Sequence, residues 1–114
     1  MNNETFNNIV SDRLAHVKDT LTAKADEYAR GDRLSNFKKI ADMLDSTPEK
    51  ALIGLVSKHW IALLDFIADL NKPVIQPYQR WDEKTTDIMA YMVLLDALVQ
   101  ERITHAQTQY PDRP

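Results

Sequence analysis

Two pairs of acidic residues have a spacing that could hold a metal ion. Asp65 and Asp69 are four residues apart, and so are Glu83 and Asp87. Residues four apart lie on the same face of a helix, so each pair presents two carboxylates together. Mg²⁺ prefers one or two carboxylates, completed by phosphate oxygens and water. If the two helices that carry these pairs face each other, the four acids predict a Mg²⁺ site.

The alternative interpretation of these acids is structural. Glu83 lies where a helix begins, and the positive end of the helix dipole favours an acid there. Asp87 could pair with Lys84 or Arg80, or lie in water at the end of a helix bundle. The spacing alone leaves both interpretations open.

Several basic, polar and aromatic side chains could bind the phosphates and the base of a nucleotide. Arg33 and Asn36 follow a predicted turn and could contact a phosphate or a base, or serve only as caps and surface ion pairs. Lys58 could bind a phosphate or neutralise Asp65, and His59 could be a ligand contact or a core histidine. The candidate nucleotide-binding residues are Lys24, Glu27, Arg33, Asn36, Lys58, His59 and Tyr91.

Helices must position these residues, and apolar spacing predicts four of them, at 4–29, 36–45, 48–71 and 82–107. Gly31 follows the first helix, and Ser35 or Asp32 could cap the second. Thr47 is predicted to cap the third helix, with Pro48 as its first residue. Asp82 is predicted to cap the fourth.

The fourth helix is predicted to be the centre of the fold. Every residue from 88 to 95 is apolar, and a helix that is apolar all round is buried on most faces. The fold class is therefore all-α, an antiparallel four-helix bundle in one domain, 1–114, with residues 108–114 a frayed tail. Because one small bundle does not cover such a helix completely, we also predict a homodimer, with Trp60 and Trp81 as core or interface anchors.

Composition excludes several other functions. The two glycines are isolated, so the chain has neither a P-loop nor a dinucleotide-binding fingerprint, and without cysteine it has no disulfide or thiolate zinc site. The net charge of −3, with Lys and Arg spread along the chain, argues against a nucleic-acid partner. The chain has no signal-peptide pattern and no apolar run of about 20 residues, so we expect a cytoplasmic protein that does not bind a membrane.

The motifs KADEY, DRLSNF, TPEKAL, KHWIALLD and DEKTTDIMAYMVLLDAL, within residues 24–98, resemble small all-helical proteins encoded by phages and prophages of Gram-positive bacteria. A fainter similarity is to the MazG-like all-α nucleoside triphosphate pyrophosphohydrolases. That similarity implies a dimeric or tetrameric helical bundle in which acids on facing helices hold Mg²⁺. It assigns Glu83 and Asp87 to the second acidic motif and Asp65 and Asp69 to the first, although the family spaces its acids by three.

Two functional hypotheses follow. The first is a Mg²⁺-dependent nucleotide-binding protein of the bacterial host cytoplasm, resembling a nucleoside triphosphate pyrophosphohydrolase. The second is a non-enzymatic, phage-derived interaction protein that binds or inhibits a host factor, such as a defence protein.

Overall fold

The computed structural model describes residues 1–23 and 31–109, which contain four helices and no strand. The helices are α1 (Asn3–Ala23), α2 (Ser35–Met43), α3 (Pro48–Leu70) and α4 (Tyr78–Gln109). The described part of the chain is therefore all-α, which confirms the predicted fold class. Residues 24–29 of the predicted first helix lie outside the described residues.

The starts of α2 and α3 illustrate two ways of beginning a helix. The Thr47 hydroxyl accepts a hydrogen bond from the Lys50 amide at 3.2 Å, and Pro48 is the first residue of α3, so the predicted cap is confirmed. At α2 the prediction of Ser35 as the N-cap is wrong, because Leu34 takes that position without a side-chain bond. The Asp32 carboxylate organises the turn instead by accepting from the Leu34 amide at 2.9 Å.

Helix α4 begins earlier and ends later than predicted. The Pro77 carbonyl accepts from the Arg80 amide at 2.9 Å, and the fixed φ of proline suits the first turn of a helix. Asp82 is therefore inside α4, and its prediction as the N-cap is wrong. At the other end, Thr108 belongs to α4 although the sequence places it in a frayed tail. Residues 110–114 lie outside the described residues.

Helix α4 packs against both α1 and α3, and α2 packs against α3. Glu49, at the start of α3, binds Arg102 near the end of α4 at 2.7 and 2.8 Å. Phe66 and Trp81, at the opposite ends of these helices, have ring centroids 5.3 Å apart. Helices α3 and α4 therefore run in opposite directions and form a hairpin. The antiparallel arrangement of all four helices stays a prediction.

The buried core lies where α2, α3 and α4 meet. Leu52 and Val56 of α3 are its fully buried side chains. The core cluster consists of Leu34, Phe37, Leu52, Val56, Ile88 and Leu98. Lys38 forms ion pairs with Asp32 and with Glu101 of α4, which ties α2 to the hairpin.

The burial predicted for α4 holds on one side only. Ile88 and Ala90 are buried, but Met92 and Val93 are exposed. In the described residues α1 and α3 pack along α4, and α2 contacts it through the Lys38–Glu101 ion pair; together they leave part of its circumference uncovered. The prediction that α4 is buried on most faces is therefore wrong for this part of the helix.

Candidate functional site

A cavity of about 490 Å³ lies between the four helices, and we call it the interhelical cavity. Its volume is within the range of cavities that bind small molecules. Its floor and sides are mainly apolar, and polar groups from α2, α3 and α4 meet within it. The lining residues are Thr20, Leu21, Arg33, Asn36, Phe37, Lys39, Ile40, Leu55, His59, Asp87, Ala90, Tyr91 and Leu94.

Helical spacing brings the polar groups of α3 and α4 into this cavity. On α4, Asp87, Tyr91 and Leu94 are four and three residues apart and so share one face. On α3, Leu55 and His59 do the same. The face of α4 that the sequence identifies by its acids is thus also the face that lines the interhelical cavity.

Positive charge comes from the turn before α2 and from α2 itself. Arg33 is half-buried and donates to the Leu21 carbonyl of α1 at 3.2 Å, which joins two walls of the cavity. Lys39 and Asn36 are exposed at the rim and lie three residues apart on one side of α2. A guanidinium and an ammonium beside an apolar cavity suit phosphate oxygens, and the amide can donate to or accept from a base.

His59 and Asp87 lie next to each other without a direct hydrogen bond. The His59 Nδ1 atom is 3.6 Å from Asp87 Oδ2 and has no hydrogen-bond partner, although this nitrogen is buried. The His59 ring is tilted against Tyr91, with centroids 5.6 Å apart. A buried polar atom without a hydrogen bond costs about 1–3 kcal/mol, and Asp87 is the polar group nearest to this nitrogen.

A second, more open cavity of about 410 Å³ lies between α1 and α4. It shares Thr20 and Asp87 with the interhelical cavity, so the two are adjacent. The lining residues are His16, Asp19, Thr20, Gln79, Asp82, Glu83, Thr86 and Asp87. This side is acidic, whereas the interhelical cavity carries Arg33 and Lys39.

Arg13 holds α1 against α4 beside the second cavity, and we call its contacts the Arg13 clamp. Its guanidinium pairs with the Asp82 carboxylate at 2.6 Å and donates to the Asp82 carbonyl at 3.2 Å. It also donates to the hydroxyl of Thr86, which is buried, and to that of Tyr78 at 3.1 Å. The His16 Nδ1 atom lies 3.1 Å from the same Asp82 carboxylate.

The Arg13 clamp lowers the pKa of the Asp82 carboxyl group. Partial burial would raise the pKa of the Asp82 carboxyl. Hydrogen bonds from His16 and Arg13, together with the charge of Arg13, outweigh that effect and lower the pKa below its ordinary value of 3.8. Asp82 is therefore an anion that is already neutralised by its neighbours.

The structure does not bring the four predicted metal-binding acids to one point. Glu83 and Asp87 both line the second cavity. Asp65 is exposed and Asp69 half-buried on α3, and neither lines either cavity. In residues 1–23 and 31–109, no group of three or more His, Asp or Glu side chains is placed to hold a metal ion. A single ion would therefore depend on Glu83 and Asp87 and on ligands that a bound phosphate supplies.

Most of the predicted nucleotide-binding residues lie together. Arg33, Asn36, His59 and Tyr91 all line the interhelical cavity. Lys58 is exposed and lines neither cavity. Lys24 and Glu27 lie outside the described residues.

Several other residues that line the two cavities are not among the binding residues predicted from the sequence. Lys39 of α2 follows the candidate Asn36 by three residues, so helical spacing could have identified it. Asp19 and Thr20 of α1 and Asp82 of α4 depend on which helices are neighbours, and no local pattern reveals that.

Comparison of the chain with protein-family models, with curated proteins and with solved structures found no match.

Proposed function

We propose that the protein binds a nucleotide in the interhelical cavity, with Mg²⁺ against its phosphates, and resembles a nucleoside triphosphate pyrophosphohydrolase. The observation that carries the proposal is the assembly of Arg33, Asn36, His59, Asp87 and Tyr91 around one cavity of about 490 Å³. These residues come from separate parts of the chain, so their meeting is not a result of local sequence. The predicted antiparallel four-helix bundle belongs to the same proposal, and the antiparallel hairpin of α3 and α4 supports it.

The geometry suggests a role for each side chain. The Tyr91 ring offers a flat surface for stacking on a base, and the Asn36 amide can hydrogen-bond the edge of the base. Arg33 and Lys39 can bind phosphate oxygens. The His59 ring lines the same cavity, and its Nδ1 atom is directed towards Asp87, 3.6 Å away.

The acidic residues that fit a Mg²⁺ ion are Glu83 and Asp87. They are four residues apart on α4, and both line the second cavity, which adjoins the phosphate-binding groups. One or two carboxylates with phosphate oxygens and water are the usual ligands of a Mg²⁺ ion bound with a nucleotide. The ion would neutralise the charge of the phosphates and activate a water molecule.

In the proposed reaction, water adds across the bond between the α and β phosphates of a nucleoside triphosphate. The products are a nucleoside monophosphate and pyrophosphate. The chain's own contribution is to orient the substrate and to hold its phosphates. Asp87 lies at the junction of the two cavities, where it can orient the attacking water.

The test uses the purified full chain with a panel of ribo- and deoxyribonucleoside triphosphates, with Mg²⁺ or with a chelator. A ligand at a hundred times its Kd stabilises the folded protein by about 2.7 kcal/mol, which thermal denaturation detects easily. Pyrophosphate release and ³¹P NMR of the products measure hydrolysis. If no nucleotide raises the Tm and no pyrophosphate forms, the proposal is refuted.

A pair of matched variants locates the site. Asp87→Asn is expected to reduce Mg²⁺-dependent nucleotide binding at least roughly tenfold. Asp96→Asn is the control, because Asp96 is exposed on the same helix, lines neither cavity and accepts a hydrogen bond from Gln100 at 2.9 Å. Equal nucleotide affinity of the two variants would show that Asp87 does not belong to the binding site. Binding without pyrophosphate release would leave a nucleotide-binding protein without hydrolase activity.

A second candidate function is a non-enzymatic, phage-derived protein that binds a host factor. The exposed apolar residues of α3 favour it, because large apolar patches mark interaction sites. On that hypothesis, replacing Glu83 and Asp87 together by alanine leaves the biological effect intact in a folded protein. Loss of the effect with an unchanged Tm would exclude it.

A further inference from the structure

One side of the α3–α4 hairpin is apolar and uncovered, and we call it the outer face. Its members recur at three, four or seven residues on each helix, and all are more than a third exposed. The residues are Ile53, Trp60, Leu64 and Ile67 of α3 and Met92, Val99 and Ile103 of α4. This spacing produces one apolar stripe along each helix.

The outer face lies opposite the interhelical cavity. At about 100° per residue, the α3 stripe is roughly 130° around the helix from the cavity-lining Leu55 and His59. The α4 stripe is similarly about 130° from Asp87, Tyr91 and Leu94. On each helix, the rotation from the cavity-lining face to the apolar stripe has the same sense along the chain. Because the two helices are antiparallel neighbours, both stripes therefore lie on the same side of the hairpin. The two stripes therefore form one continuous surface, and the elements around the cavity cover the other side.

The exposed area is too large for a compact monomer. The chain of 13.1 kDa exposes 8744 Å², whereas a folded monomer of that mass exposes about 6400 Å². The radius of gyration is 17.7 Å, compared with about 13 Å for a compact domain of this length. The excess is roughly 2300 Å², and each partner in a standard interface buries about 800 Å². This excess is more than one partner of a standard interface buries, and the outer face contributes to it together with the exposed apolar residues Phe6, Ile9 and Leu14 of α1.

The chemistry of the outer face suits a second copy of the chain. Its residues are uncharged, and the exposed Trp60 lies in the middle of α3, a position typical of an interface anchor. The Glu49–Arg102 ion pair links the two helices at one end of the hairpin. Asp96, four residues after Met92 and three before Val99, places one exposed charge at the edge of the α4 stripe. A face of this composition can pack against its own copy about a two-fold axis.

A lipid bilayer is the main alternative occupant. In the described residues α3 alone has the length and mean hydropathy, 1.6, of a membrane-spanning helix. However, α3 carries Lys58 and Asp65, and it packs along α4, whose Asp96 and Glu101 would enter the bilayer with it. Charged residues at the depth of a bilayer cost several kcal/mol each, and a second copy requires no such transfer.

We propose that the protein is a homodimer in which two α3–α4 hairpins pack through their outer faces to form a four-helix interface. The two interhelical cavities then open on the outside of the dimer, away from the interface. The proposal does not depend on the identity of the cavity ligand.

The first test measures the mass of the full chain in solution by light scattering after gel filtration. We expect the mass of two chains of 13.1 kDa at micromolar concentration. Leu64→Glu places a charge in the middle of the outer face and should shift the protein to the mass of one chain. Met43→Glu is the control, because Met43 is exposed on α2 and outside this face. A monomeric wild-type protein, or a dimeric Leu64→Glu variant, would overturn the proposal.

The second test remains informative if Leu64→Glu does not fold. The chain has no cysteine, so a single introduced thiol is the only cross-linking site. A short bis-maleimide should link two copies of Leu64→Cys, which keeps Trp60, but not of Met43→Cys. Flotation with vesicles of phosphatidylcholine and phosphatidylglycerol tests the bilayer. Vesicle binding without cross-linking of Leu64→Cys would assign the outer face to a membrane and refute the dimer.

Discussion

Replacing Arg13 by methionine should loosen α1 from the rest of the protein. The substitution keeps the aliphatic stem and removes the guanidinium. The Arg13 side chain is only 15% exposed. Four acceptors on α4 then lose their donor: the carboxylate and the backbone carbonyl of Asp82, and the hydroxyls of Thr86 and Tyr78. Tyr78 is exposed, so water replaces its bond at little cost.

The Asp82 carbonyl lies inside α4 and keeps the hydrogen bond of the helix, so the magnitude follows from the Thr86 hydroxyl and the Asp82 carboxylate. The buried Thr86 hydroxyl loses about 1 kcal/mol, the usual worth of a hydrogen bond. The Asp82 carboxylate is 28% exposed and keeps its contact with His16, so its loss is about 1–2 kcal/mol, at the low end for a charged group. The total of about 2–3 kcal/mol corresponds to a fall in Tm of roughly 10 °C for a domain of this size.

Thermal denaturation followed by circular dichroism measures this change, with Arg102→Met as the matched control. Arg102 forms a bidentate ion pair, but its side chain is 59% exposed, so we expect a clearly smaller loss. Hydrogen exchange should show that the α1 amides after Arg13 lose protection before those of α3. Equal Tm values for the two variants would show that the clamp does not hold α1, and the reasoning above would be wrong.

Three other changes test the core, a cap and the charges. Leu52→Ala removes a fully buried side chain and should lower the free energy of unfolding in urea by about 2–5 kcal/mol, whereas Leu44→Ala at an exposed site should change it by less than about 0.5 kcal/mol. Thr47→Ala should cost about 1 kcal/mol through loss of the α3 cap, and Thr47→Ser should restore most of it; an unchanged Thr47→Ala protein would contradict the capping role. Asp32, Glu49 and Asp82 have lowered pKa values in the folded protein, so their stabilisation is present above their ordinary values near 4 and is lost as the pH falls below them. The Tm should therefore fall in acid below about pH 4, and it should fall less steeply for the Asp82→Asn variant than for the wild-type protein. If the two proteins show parallel profiles of Tm against pH, Asp82 does not contribute to the acid sensitivity.

The sequence predicts the helices well because their signals are local. The periodic apolar residues and the Thr47–Pro48 cap locate α3 to within one residue at each end. The sequence places the start of α4 about one turn too late, because Asp82 resembles a cap whereas Pro77 allows the helix to begin at Tyr78. The sequence cannot show whether an acid in the first turns of a helix caps it or faces a neighbouring helix.

The candidate site was predictable to the extent that its residues share a helix face. Asp87 and Tyr91 are four apart and line the same cavity, as their spacing indicates. The convergence of Asp65 and Asp69 with Glu83 and Asp87 required a particular rotation of α3 against α4. The observed rotation is fixed by the burial of Leu52 and Val56, which the positions of the acids do not reveal.

The Arg13 clamp has a consequence for ligand binding. Helix α1 supplies Thr20 and Leu21 to the interhelical cavity, yet among helices in the described residues it packs only against α4. Undocking of α1 would therefore open the cavity wall while the α2–α3–α4 core stays folded. Any molecule that needs this wall must strengthen the docking of α1, and docking must strengthen its affinity by the same factor. A weakened clamp should thus reduce affinity at a distance, without touching a group that contacts the ligand.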